Sequence, residues 1–150
     1  MSSITMPRVA GPPHTGGCLC GGVRFEVDEL GPASYCHCTR CQRRTGGASS
    51  AQTRIDGSRL RIAGEERLGS FRPEQGFEKL FCADCGSHLF SRNPADASQM
   101  SIRLGAFDGD PGVRPQWRQF VAYAASWEPL PDDGLPRYDE SKPGGFAEAP

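Results

Sequence analysis

Residues 35–47 read YCHCTRCQRRTGG, with Cys36, Cys38 and Cys41 followed by Arg43, Arg44, Gly46 and Gly47. Four thiolates close a tetrahedral zinc site, and three leave one corner open. Two more cysteine groups lie on either side of this stretch: Cys18 with Cys20, and Cys82 with Cys85. Zinc holds sulfur at about 2.3 Å, so two sulfurs on one ion sit about 3.8 Å apart. A C-x-C pair on an extended strand presents both side chains to one face. A C-x-x-C pair does the same by curling the backbone, and in CADCGS the residue Gly86 is free to take a positive φ for that turn.

The middle triplet is local enough to set three sulfurs on one ion. Cys18, Cys20, Cys82 and Cys85 then make a closed all-thiolate site that ties the first strand to a later hairpin. Closing a loop of about sixty residues costs entropy, and metal binding supplies on the order of 10 kcal/mol. This site therefore reads as structural. Cys36, Cys38 and Cys41 make an open site, and three protein ligands plus an exchangeable group is the pattern of catalytic zinc. His37 is the local candidate for the fourth corner. If its neighbours face the metal from extended backbone, however, its own side chain faces away. An alternative stays open at this level: all seven cysteines are structural, or one is spare. Iron–sulfur clusters also use thiolates, but the spacings match no common ferredoxin run, so zinc is preferred.

The bulk numbers agree with a small zinc protein. A chain of 150 residues suits one domain with one core. The net charge of -1 and the pI near 6.3 point to no nucleic-acid or anionic-membrane partner. No apolar run approaches the roughly 20 residues that span a bilayer, and residues 1–17 lack the apolar stretch of a secretory signal. The expectation is a soluble, cytoplasmic protein. An odd number of cysteines, seven, cannot form a complete disulfide set, and clustered cysteines in a reducing compartment bind metal or do catalysis.

The 19 glycines and 13 prolines imply frequent turns. Between them run short strand-like segments. GVRFEVD puts Val23, Phe25 and Val27 on one face, with Arg24, Glu26 and Asp28 on the other. RLRIAG and QMSIRLGAF alternate, GFEKLFC and SHLFSRN flank the last cysteine pair like the arms of a hairpin, and WRQFVAYA reads as a late strand. A short helix follows Thr39 and stops at the glycines. The reading is mainly β: a flexible arm at 1–15, one zinc-binding domain at 16–138, and a flexible tail at 139–150.

GGCLCGGVRFEV, YCHCTRCQRRTGG, FCADCGSHLF and DDGLPRY occur in an order that resembles the glutathione-dependent formaldehyde-activating enzyme (GFA, CENP-V/GFA domain) family. The resemblance runs over residues 16–138, and all seven cysteines fall on what look like the family's zinc-ligand positions. It implies an Mss4-like (β-tent) fold with zinc knuckles and two zinc ions. It implies a structural zinc on Cys18, Cys20, Cys82 and Cys85, and a catalytic zinc on Cys36, Cys38 and Cys41. The family reaction it implies joins glutathione and formaldehyde to S-(hydroxymethyl)glutathione, classed as a carbon–sulfur lyase. The implied partner is a small-molecule thiol such as glutathione; residues 48–81 carry no motif tied to it.

The chemistry suits an open thiolate site. Zinc deprotonates a coordinated thiol, and thiolate is the nucleophile. Three cysteinates keep the centre electron-rich, which favours thiol activation over carbonyl polarisation. Arg40, Arg43 and Arg44 are placed to offset that charge, with Arg43 and Arg44 as candidates for substrate carboxylates; the alternative is a solvated surface role. His88 reads as a structural histidine, and His14 as idle in the arm. Trp117, Phe120 and Tyr123 read as core or pocket wall, and the segment after Trp127 as cover for a sheet edge. Asp132 and Asp133 are adjacent and face opposite ways, which makes a poor acid–base dyad. Two other functions fit the same cysteines: a zinc-stabilised binding module without catalysis, and a thiol redox sensor.

Overall fold

The computed structural model describes residues 11–144. Two β-sheets enclose one core. The smaller has three antiparallel strands in the order β1 (His14–Gly17), β2 (Arg24–Val27) and β5 (Leu60–Ala63). The larger has seven. Its order is β10 (Pro115–Gln119), β3 (Ala33–Cys36), β4 (Ser50–Asp56), β9 (Asp96–Arg103), β8 (His88–Asn93), β7 (Glu78–Cys82) and β6 (Leu68–Phe71). Every pair in it is antiparallel except β10 with β3. The fold is mainly β and a single domain, as the strand patterns and the resemblance imply. Among the described residues no helix is long and apolar enough to cross a membrane.

Strand periodicity decides what each sheet face carries. In and just before β2, Val23, Phe25 and Val27 are buried while Arg24 and Glu26 face outward. The Phe25 ring meets Phe90 and Phe107 edge-on, at 5.5 and 5.4 Å between centroids. The large sheet answers with Ile55, Leu80, Phe90, Met100 and Ile102. Register stacks them, with Ile102 opposite both Thr53 and Phe90, and Phe90 opposite Leu80. Full burial of such a side chain contributes about 1.5–3 kcal/mol. The same period of two turns the intervening residues to the opposite face. There Ser34 lies opposite Gln52 and Gln52 opposite Arg103, while Lys79 lies opposite Ser91 and Ser91 opposite Ser101. One face of the large sheet is thus apolar and inward, and the other is polar and lined with cations.

The helix α1 (Thr39–Thr45) leaves β3 through Cys38 and ends at Gly46, which takes φ 71° in the left-handed region and donates its N–H to the Gln42 carbonyl. Glycine enters that region without a Cβ clash. The hairpin turn between β7 and β8 likewise has Gly86 at φ 78°.

Backbone and side-chain pairing reaches residues on either side of 16–138. His14 and Thr15, expected in the arm, begin β1, and Thr15 binds Asp108 through both its carbonyl and its hydroxyl. At the other end the Phe120 N–H donates to the Glu140 carbonyl, and the Tyr123 hydroxyl reaches Glu140 Oε1 at 2.7 Å. Backbone pairing and side-chain anchors hold these segments where hydrophobic patterning gives no sign. Residues 1–10 of the arm and 145–150 of the tail lie outside the described residues. The Pro-rich segment does cover an edge: Arg118 of β10 bridges Arg137, with Arg118 N–H to Pro136 O and Tyr138 N–H to Arg118 O, both 2.9 Å.

Candidate metal centre

The seven cysteines are all free thiols and gather into two groups. In the first, Cys18 and Cys20 follow β1, while Cys82 ends β7 and Cys85 lies in the following turn. Cys18 Sγ is 3.5 Å from Cys20 Sγ, and Cys20 Sγ is 3.8 Å from Cys82 Sγ. These lengths match the edge of a zinc–thiolate tetrahedron, about 3.8 Å, so the donor set fits a metal ion. Backbone and hydroxyl donors point at the sulfurs: Val23 N–H to Cys18 Sγ at 3.2 Å, and the Ser87 hydroxyl 3.2 Å from Cys85 Sγ. The Ser87 hydroxyl and N–H hold the Cys85 thiol down at about 5.

In the second group the sulfurs of Cys36, Cys38 and Cys41 lie within 4.8 Å of one another. Cys36 ends β3. Cys38 caps α1, its sulfur accepting the Cys41 N–H at 3.3 Å, and this cap folds the two sulfurs together. The Cys41 thiol is held well below its usual range, because the thiols of Cys36 and Cys38 donate to its sulfur, with help from the Ser50 hydroxyl and the charge of Arg103. Cys36 is pushed the other way, because hydrogen bonds to Cys38 and Cys41 hold its thiol proton and burial disfavours its thiolate. No fourth His, Cys, Asp or Glu joins the group among the described residues.

His37 is turned away, as backbone alternation requires. Its ring is buried, and its Nε2 accepts from Arg118 Nη1 at 3.2 Å. Burial and the Arg118 charge depress its pKa, so it stays neutral. Arg118 is itself held by Asp133 at 2.7 Å and stacks 4.3 Å above the Tyr35 ring.

The triplet opens on a cleft of about 410 Å³, with Arg40, Arg44, Phe77, Phe120 and Tyr123 in its wall. Arg44 faces this cleft, whereas Arg43 is exposed and lies outside it. Trp117 is core, and Phe120 and Tyr123 are wall. Phe120 takes a left-handed φ of 57°, a strained conformation for a bulky residue, in the turn that presents both rings. A second recess of about 230 Å³ adjoins it and shares Cys36, Cys41, Phe77, Lys79 and Arg103.

Sequence reasoning missed four neighbours of the triplet: Ser50, Gln52, Lys79 and Arg103. The Ser50 hydroxyl lies 3.1 Å from Cys41 Sγ and 2.8 Å from Gln52 Oε1, and its one proton serves one or the other. Gln52 Oε1 also accepts from Arg103 Nη1 at 3.1 Å, and Arg103 Nη2 donates to Ser91 Oγ at 3.1 Å. Lys79 is half-buried, and burial and the Arg103 charge push its ammonium down to about 8. The alternation Ser50-x-Gln52 in β4 was the one local sign; which face it marks depends on the neighbouring strands. His88, on β8, has its pKa lowered by burial and by Arg44 and Arg103.

Two sheets stitched by one cluster of four sulfurs, with a second cluster of three facing a cleft, define a β-domain with two candidate metal sites. A family profile described as glutathione-dependent formaldehyde-activating enzyme matches residues 13–123, and the chain belongs to that family. It is also similar to a crystal structure of a Rhodobacter sphaeroides protein, at 26% identity and a TM-score of 0.50, over 83% of this chain and 98% of that one. No curated protein sequence matches it.

Proposed function

We propose that the chain is a zinc-dependent carbon–sulfur lyase that makes or breaks the bond between a small thiol and an aldehyde carbon, with glutathione and formaldehyde as the default pair. One observation carries the reading. The four-cysteine group is complete, whereas the three-cysteine group has no fourth His, Cys, Asp or Glu among the described residues and faces a cleft. Cys18, Cys20, Cys82 and Cys85 would hold the structural ion, and Cys36, Cys38 and Cys41 the catalytic one. Zinc held by Cys36, Cys38 and Cys41 would lower the pKa of a bound thiol and so supply a thiolate nucleophile at neutral pH.

The chain's own residues do the rest. The substrate sulfur forms the C–S bond with the carbonyl carbon; the C=O π pair moves to oxygen, which takes up a proton in place of the one the thiol released, and the reverse steps cleave the adduct. Arg44, Lys79 and Arg103 balance the negative charge of the sulfurs around the reacting atom. Ser50 orients Cys41 through the 3.1 Å contact. The rings of Phe77, Phe120 and Tyr123 limit water in the cleft. A binding module would fill the fourth corner with a side chain, and the local candidate, His37, is instead engaged by Arg118.

Cobalt(II) substitution tests the reading. Glutathione should alter the sulfur-to-cobalt charge-transfer band of the triplet, and carbon-13 NMR should show faster exchange between labelled formaldehyde and its glutathione adduct. An unaltered spectrum together with an unchanged exchange rate would refute it.

A further inference from the structure

The two recesses at the triplet hold a charge pattern that thiol activation alone does not need. Among the described residues no Asp or Glu lines either, although the chain has 18 acidic residues. Lys79 and Arg103 line both recesses, Arg40 and Arg44 line the larger, and Arg54 lines the smaller. Arg44, Lys79 and Arg103 take part in no ion pair among the described residues. Among the described residues, Arg44 Nη1 and Arg103 Nε are buried without a hydrogen-bond partner, and the Lys79 ammonium has only Ser91 Oγ, at 3.4 Å. Buried cationic donors without partners are costly, and a partner of opposite charge removes the cost.

We propose that the cleft selects a thiol that carries a carboxylate close to its sulfur, with Lys79 and Arg44 anchoring the carboxylate while the sulfur takes the open corner of the triplet. The inference rests on the thiol-activation reading and adds the substrate's charge. Zinc on three thiolates would bear one negative charge, and a substrate thiolate would add a second, against the four cations that line the larger recess, Arg40, Arg44, Lys79 and Arg103. Positive charge then stays unmet, and a carboxylate on the substrate offsets part of it. Arg103 reaches Cys41 through Gln52 and Ser50, which places the positive field beside the sulfurs. Arginine forks and a half-buried lysine both suit a carboxylate. The wall opposite is aromatic, from Phe77, Phe120 and Tyr123, and would pack the carbon chain between the two ends.

Three thiols of similar reach and different charge test this: mercaptopropionate, mercaptoethanol and cysteamine. Their dissociation constants are read from the cobalt(II) band of the fully loaded protein. Mercaptopropionate should bind about tenfold tighter than mercaptoethanol, the worth of one charge-assisted hydrogen bond, and cysteamine should bind weakest. Lys79→Met should weaken mercaptopropionate binding about tenfold more than mercaptoethanol binding, and so erase the preference for the acid, whereas Lys79→Arg should retain it. Arg44→Met gives a second, independent loss of the same preference, and an unshifted thiol-free cobalt spectrum checks that each variant is folded. Equal binding of the acid and the alcohol overturns the inference while leaving thiol activation standing. If none of the three thiols nor glutathione perturbs the band, the thiol-activation reading falls, and this inference with it.

Discussion

Replacing Cys20 by serine separates the two cysteine groups by their energetic roles. Cys20 is exposed, so Cys20→Ser leaves the core packing intact and removes a sulfur from the four-cysteine group; Cys82, fully buried in the core, would confound the two effects. The group joins positions 62 residues apart, Cys20 and Cys82. Cross-linking a chain over a loop of that length lowers the entropy of the unfolded state by an amount worth about 4 kcal/mol at room temperature. For a chain near 150 residues, 1 kcal/mol moves Tm by about 2–4 °C. Cys20→Ser should therefore lower Tm by about 8–16 °C, and wild type stripped by a strong chelator should melt near the same temperature. Cys38→Ser closes no comparable loop, since its partners are Cys36 and Cys41, and should lower Tm by a few degrees at most. The assay is calorimetry on metal-replete protein with zinc content measured on each variant. Equal losses from Cys20→Ser and Cys38→Ser, at one zinc lost from each, would refute the division into a fold-closing site and an open one.

The other expectations can be checked on the same protein. Ser50→Ala removes the hydroxyl 3.1 Å from Cys41 Sγ and should weaken the triplet's hold on metal by about 10–100-fold, read by chelator competition, with Tm little changed. Arg118→Met takes the donor from the buried His37 Nε2; an unsatisfied buried acceptor costs about 1–3 kcal/mol, and Tm should fall accordingly. The same variant should flatten the acid limb of stability. Asp133 is held below the usual carboxylate range by Arg118, so its contribution is present above the unfolded value near 3.9 and is lost as pH falls through the lower folded value. Denaturant melts of wild type and Arg118→Met between neutral and acid pH measure this. Gly46→Ala puts a Cβ on the left-handed cap of α1 and should cost about 1 kcal/mol, visible as a small drop in Tm.

Local patterning carried much of this architecture. The alternation of Val23, Phe25 and Val27 marked a half-buried strand because one sheet face meets the core and the other water, and the structure buries all three. The hairpin arms around Cys82 and Cys85, and the helix stopped at Gly46, also follow from short-range rules. Cysteine spacing sorted the seven sulfurs into the groups of four and three that the fold assembles, since tetrahedral ligation restricts which neighbours can share an ion. The sequence was silent on β1, β3 and β6, which have four residues each, and on β4, whose seven are largely polar; they exist because neighbouring strands offer them hydrogen bonds.

The surroundings of the triplet were decided by tertiary structure alone. Lys79, Arg103, Ser50 and Gln52 come from β7, β9 and β4, and only strand register brings them to one face beside Cys36 and Cys41. A basic residue in a strand looks the same in sequence whether it meets solvent or a thiolate cluster. Its meaning comes from pairing across tens of residues, whereas ligand spacing within a turn is fixed by bond lengths that the chain carries with it.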